Sequence, residues 1–126
     1  MPEIRKTETH MNLLIVDDNR EMRRAIKSFV CDLADELHEC ADGSESLAAY
    51  AMYLPDWVLM DIKMKDTDGI SATKQLKAAF PEAQIVIVTN YDDAELREAA
   101  CAAGACGYVV KENLLELRRL LGAPTH

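Results

Sequence analysis

The sequence predicts an α/β domain: an open, doubly wound sheet of five parallel strands with helices on both faces. Three observations predict it. Apolar runs of four to six residues alternate with amphipathic stretches of ten or more, the pattern of repeated strand–helix–strand units. Four runs, LLIV at 13–16, DWVLM at 56–60, IVIV at 85–88 and YVV at 108–110, are nearly continuous in apolar character, as strands covered on both sides must be. The residues that carry chemistry, Asp17, Asp18, Asp61, Thr89 and Lys111, stand directly after those runs. That is where an open parallel sheet presents its ligand-binding edge.

The first strand, 13–16, is expected in the sheet interior. The crossover after it repeats Met22, Ile26, Phe29, Val30 and Leu33 at helical spacing, and Asn19 is placed to cap its free N–H groups. The second strand, ELHEC at 36–40, mixes polar and apolar residues and belongs at a sheet margin. The second helix opens after Gly43, carries Leu47, Ala48, Ala51 and Leu54 as its apolar side, and is closed by Pro55. The third strand, 56–60, leads to a helix with Ile70, Thr73, Leu76 and Phe80 inward, stopped by Pro81. After the fourth strand, an alanine-rich helix over 92–103 ends at Gly104, the residue best able to take a left-handed conformation. The last strand, 108–110, is expected in the interior with the first, third and fourth. The last helix, 113–121, puts Leu114, Leu117 and Leu121 on one side, with Arg118 and Arg119 at the end where positive charge suits the helix dipole. From Asp61 to Thr89 is 28 residues and from Thr89 to Lys111 is 22, each enough for one helix and one strand. Three strand ends can therefore lie side by side.

With 126 residues, 49% of them apolar, the chain suffices for one domain and not two. Residues 1–10 read as a flexible leader ending before a second methionine, Met11, where translation is expected to start naturally; 11–121 read as the domain and 122–126 as a tail. A net charge of −8 disfavours direct contact with nucleic acid or an anionic membrane surface. No stretch is long and apolar enough to span a bilayer, and the first residues lack the apolar block of a signal peptide, so a cytoplasmic protein is expected. Cys31, Cys40, Cys101 and Cys106 have no zinc-site spacing and read as free thiols. His10, His38 and His126 have no partner motif.

A carboxylate at the end of a central strand can attack phosphorus and form an aspartyl phosphate. Asp61 is placed for this. Its attack brings anionic oxygens into an acidic pocket, so a divalent cation is needed, and Mg²⁺ prefers hard oxygen ligands. Asp17 and Asp18 supply them. An Asp pair after a strand is by itself an ordinary polar turn, and a lone strand-end lysine or threonine is equally ordinary. The set carries the signal: Lys111 offers an ammonium to a phosphoryl group and Thr89 a hydroxyl donor.

The segments LLIVDDN, DWVLMDIKMKDTDGI, IVIVTNYDD and GACGYVVKEN resemble the receiver domain of two-component response regulators, the last two especially those of the LuxR-type transcription-factor class. The resemblance spans residues 11–121 and implies a flavodoxin-like sheet of order 2-1-3-4-5 with five helices. It implies Asp61 as phosphoacceptor, Asp17, Asp18, Asp61 and the Lys63 carbonyl as Mg²⁺ ligands, Lys111 as phosphate contact, and Thr89 and Tyr108 as switch residues. A sensor histidine kinase is the implied donor. The implied output is a change in the surface of helix 4, strand 5 and helix 5, which is also a candidate homodimer surface. The domain would belong to a transcriptional regulator or act alone through a protein partner, and catalyse only its own phosphorylation and dephosphorylation. Three positions depart from the family pattern. Glu112 follows Lys111 where the family usually has a cis proline, Lys65 replaces another common proline, and Asn90 stands where Ala or Gly is frequent. Lys63 and Tyr91 flank the pocket at positions that in the family influence phosphate lifetime.

Other readings compete. A Mg²⁺-dependent phosphatase using an aspartyl phosphate ordinarily has a second acid two residues after the nucleophile, where this chain has Lys63. A flavin-binding module of the same sheet order needs a phosphate-cradling turn after the first strand, and DDNRE lacks the Ser, Thr and Gly for it. A receiver-like interaction domain that is never phosphorylated would not need the full acidic set.

Overall fold

The computed structural model describes residues 11–122. The expected leader at 1–10 and most of the expected tail lie outside the described residues. Strands β1 (Asn12–Val16), β2 (Glu36–Cys40), β3 (Trp57–Met60), β4 (Ile85–Thr89) and β5 (Gly107–Val110) alternate with helices α1 (Arg20–Val30), α2 (Ser46–Tyr53), α3 (Gly69–Ala79), α4 (Ala94–Ala103) and α5 (Leu115–Leu120). The strands are parallel and ordered β2-β1-β3-β4-β5. The chain moves from β1 to β2, then returns across β1 to β3, so strand order reverses between β1 and β3. Ligands bind open α/β sheets at such a point. Val16 is in register with Met60, which brings the next residues, Asp17 and Asp61, to neighbouring strand ends.

Strand residues alternate between two cores because successive side chains point to opposite faces. On one face Leu14, Val16, Val58, Met60, Ile85 and Ile87 pack with Tyr50 of α2, Leu76 of α3 and Ala100 of α4. On the other, Leu13, Ile15, Leu59, Val86, Val88 and Val109 pack with Ile26 and Val30 of α1 and Leu117 of α5. Both faces are covered, which explains the unbroken apolar runs of the inner strands. At roughly 1.5–3 kcal/mol for each large side chain fully buried, these two layers hold the sheet edge rigidly enough to carry a site.

The helix boundaries follow local chemistry. Asn19 caps α1 by accepting from the Met22 N–H at 2.9 Å, as expected. Asp68 caps α3 and Asp93 caps α4 in the same way. Gly104 ends α4 at φ 111°, a left-handed value. Leu114, Leu117 and Leu121 are all buried, as the last helix predicts.

Three expectations are corrected. The apolar side proposed for the second helix is its outer side: Leu47, Ala48, Ala51 and Leu54 are exposed, while Ser46 and Tyr50 are buried. The segment SLAAYAMY is apolar nearly all round, so periodicity does not choose a face; the Ser46 hydroxyl donating to the Gly43 carbonyl at 2.7 Å and the Tyr50 ring against Phe80 at 4.5 Å do. Phe29 is likewise exposed, because Ile26 and Val30, four apart, fill the α1 contact and leave Phe29 off the stripe. Finally, β5 is a margin strand and only Val109 in it is fully buried. Its apolar run reflects α4 and α5 closing over that margin.

Candidate phosphoacceptor and metal site

Asp17 leaves β1 and Asp61 leaves β3 at the order reversal, both buried, with Asp18 exposed beside them. Carboxylate oxygens of the three lie within 4.8 Å of one another. The main chain locks this edge: the Asp61 N–H donates to the Val16 carbonyl at 2.9 Å and the Asp17 N–H to the Cys40 carbonyl at 3.2 Å. One Asp61 oxygen accepts the Ile62 N–H at 2.9 Å. One Asp17 oxygen accepts the Asn19 N–H at 2.8 Å, so the residue that caps α1 also orients the acid.

Lys111 follows β5 and begins a single-turn 3₁₀ helix, Lys111–Asn113. Its ammonium lies 3.0 Å from Asp17 Oδ2 and 3.4 Å from Asp61 Oδ1, with the side chain only 7% exposed. All peptide bonds among the described residues are trans, including the one from Lys111 into Glu112.

One lysine does not balance three acids. Burial, then the charge of Asp17, push the Asp61 carboxyl up to about 6, against the opposing pull of Lys111 and the Ile62 N–H. Asp17 Oδ2 is buried without a hydrogen bond; its contact with Lys111 is an ion pair lacking hydrogen-bond geometry. A buried carboxylate oxygen with spare capacity, inside a cluster of oxygen donors, fits a hard divalent cation.

The other expected residues form a second, linked set. Thr89 ends β4, fully buried, and its hydroxyl oxygen accepts the Tyr91 N–H at 3.3 Å. Tyr108 donates to the Tyr91 carbonyl at 2.6 Å, and the Arg97 guanidinium lies 4.5 Å from its ring centroid. The Lys63 ammonium stands 5.4 Å from the Tyr91 ring centroid. Tyr91 thus connects Thr89, Tyr108 and Lys63, while Asp17, Asp18, Asp61 and Lys111 meet directly.

Sequence reasoning missed two residues here. Gly69 opens α3 with its N–H donating to the Ile62 carbonyl at 2.8 Å, and a Cβ there would sit 1.9 Å from the Asp61 carbonyl oxygen. Asp42 reaches across from the β2–α2 loop to accept main-chain hydrogen bonds from Asp66 and Thr67. The available signal was a repeated Asp-Gly pair, at 42–43 and 68–69.

The family model for the response regulator receiver domain matches residues 13–121. The transcriptional regulatory protein YhcZ of Bacillus subtilis is 35% identical over 118 residues, covering 89% of this chain and 55% of that protein. The chemotaxis protein CheY of Halobacterium salinarum is 35% identical over 99 residues, covering 79% of this chain and 82% of that one. A LuxR-family two-component response regulator from Aurantimonas superposes with a TM-score of 0.85 at 28% identity, over 90% of this chain and 84% of the other. The chain spans about half the length of the regulators YhcZ and DegU that it matches.

Proposed function

The chain belongs to the response regulator receiver domain family, and from that premise we propose that it is a phosphorylation-dependent signalling switch whose phosphoacceptor is Asp61. The observation that carries this reading is the Lys111 ammonium between Asp17 and Asp61, at 3.0 and 3.4 Å, beside the third acid. A sensor histidine kinase is the donor. A carboxylate oxygen of Asp61 forms a bond to phosphorus as the phosphorus–nitrogen bond of a phosphohistidine breaks; the electron pair stays on the imidazole, which takes a proton from water. Asp17, Asp18 and Asp61, with the Lys63 carbonyl, would hold Mg²⁺. When bound, the cation supplies the positive charge that lets a dianionic group approach a cluster of carboxylates. Lys111 then pairs with a phosphoryl oxygen, and the Thr89 hydroxyl donates to another.

Turning the Thr89 hydroxyl toward the phosphoryl group ends its bond with the Tyr91 N–H and loosens the loop to which Tyr108 is tied. Tyr108 and the α4–β5–α5 surface repack as a population shift. This surface serves a homodimer or a protein partner. Half-length coverage of transcriptional regulators supports a receiver that governs a DNA-binding output without touching DNA itself, while coverage of the Halobacterium CheY keeps a stand-alone receiver as the second reading. Cytoplasmic action fits both. Among the described residues no helix is long and apolar enough to cross a membrane.

Incubation with acetyl phosphate and Mg²⁺, read by intact mass, tests this. One phosphoryl group is expected on the wild-type protein, none with EDTA and none on Asp61→Ala. Labelling retained by Asp61→Ala would overturn the assignment.

A further inference from the structure

We infer that Asp42, from the loop after β2, is a positioning residue for the phosphoacceptor site, clamping the loop that leaves Asp61. The inference rests on the function proposed above and deepens it.

Asp42 is buried, 6% exposed, although it sits in a surface turn. Its Oδ1 accepts the Asp66 N–H at 2.9 Å, and its Oδ2 accepts the Thr67 N–H at 3.1 Å and the Ser44 N–H at 2.8 Å. The first two donors lie 24 and 25 residues away, in the segment between Asp61 and the α3 cap Asp68. That segment carries Lys63 and Lys65 and holds no proline between Asp61 and Asp68. The segment between the buried acid and the helix start forms no helix or strand of its own, and a carboxylate bridging two successive N–H groups restrains it.

Gly43 makes the approach possible. A Cβ at Gly43 would lie 2.4 Å from the Thr67 carbonyl oxygen and 3.1 Å from the Ala72 Cβ. Residues 42 and 43 therefore press on the same loop by two independent contacts, one polar and one steric. At the loop's other end, the Gly69 N–H binds the Ile62 carbonyl at 2.8 Å. The segment is held at its start, near its end and at the helix it feeds. Burial would raise the Asp42 carboxyl, but the Ser44, Asp66 and Thr67 donors outweigh it and bring it down to about 2, so the clamp is charged at any ordinary pH.

Groups that orient metal ligands from one layer out commonly change affinity by ten- to a hundredfold when removed. The test compares wild type, Asp42→Ala, Asp42→Asn and, as a control that removes a carboxylate contact elsewhere, Asp32→Ala, which breaks the 2.8 Å Arg118–Asp32 pair between α5 and the turn after α1. Calorimetric Mg²⁺ titration, acetyl phosphate uptake and amide exchange of the metal-free proteins are measured. Asp42→Ala is expected to raise the Mg²⁺ dissociation constant roughly tenfold, slow phosphoryl uptake at saturating Mg²⁺, and speed exchange at the Asp66 and Thr67 amides. Asp42→Asn keeps one acceptor oxygen and should fall between; Asp32→Ala should match wild type in all three. If Asp42→Ala does not fold, Asp42→Asn decides by the same criteria. Wild-type Mg²⁺ affinity and uptake in the Asp42 variants would overturn the inference and leave the proposed function standing. Absence of Mg²⁺ binding by the wild type would instead overturn the proposed function.

Discussion

Tyr108 donates its phenolic hydrogen to the main-chain carbonyl of Tyr91 at 2.6 Å, tying the margin strand β5 to the loop that leaves buried Thr89. Arg97 covers the same ring. Tyr108→Phe keeps the ring contact and deletes the hydrogen bond, so urea denaturation should show a loss of about 1 kcal/mol. Phosphoryl uptake, read by intact mass, should survive, because the phenol does not touch the acids.

The charge of Asp61 is costly in the metal-free site. Buried beside Asp17, its carboxyl is pushed up to about 6, so at neutral pH the ionised form destabilises the fold. Asp61→Asn should therefore stabilise the metal-free protein by roughly 2 kcal/mol at neutral pH. Added Mg²⁺ should raise the melting temperature of the wild type and leave that of the variant nearly unchanged.

Gly69 has no room for a side chain, since an added Cβ would meet the Asp61 carbonyl oxygen at 1.9 Å. Gly69→Ala must push the start of α3 away from the end of β3. A loss of about 1–3 kcal/mol in denaturant unfolding is expected, together with weaker Mg²⁺ binding by calorimetry.

Asp42 sets an acid limit on stability. Its carboxyl is held at about 2 in the fold against an ordinary value of 3.8, so the unfolded chain binds the proton more readily. The stabilisation it contributes is complete above about pH 4 and is lost as pH falls toward 2. Denaturation midpoints measured across that window should fall less steeply for Asp42→Asn than for the wild type.

The thiols should divide into two classes. Cys31, Cys101 and Cys106 are exposed, whereas Cys40 is buried and burial, then the charge of Glu45, push its thiol up to about 11. A thiol reagent at pH 8 should label three cysteines quickly, with Cys40 reacting only on unfolding.

The gathering of the acids and Lys111 was legible because it depends on strand ends. Parallel strands in register bring Asp17, Asp61 and Lys111 to one edge whatever the helices between them do, and the apolar runs mark where those strands stop. The outward side of α2 was illegible for the opposite reason. Its residues are nearly uniform in hydropathy, and a hydroxyl contact from Ser46 and the Phe80 ring choose the face. The marginal place of β5 was hidden because a run of apolar residues says that a strand is covered, without saying whether another strand or the flanks of two helices cover it. Asp42 escaped notice since its donors lie 24 and 25 residues further on. Only the folded β2–α2 and β3–α3 loops bring them together.

Calorimetric titration of the purified protein with Mg²⁺ tests most directly whether these side chains form one cation-dependent site. A single ion should bind to the wild type, with binding abolished or severely weakened by Asp17→Asn and by Asp61→Asn. No heat of binding in the wild type, or affinity unchanged in both variants, would contradict the account.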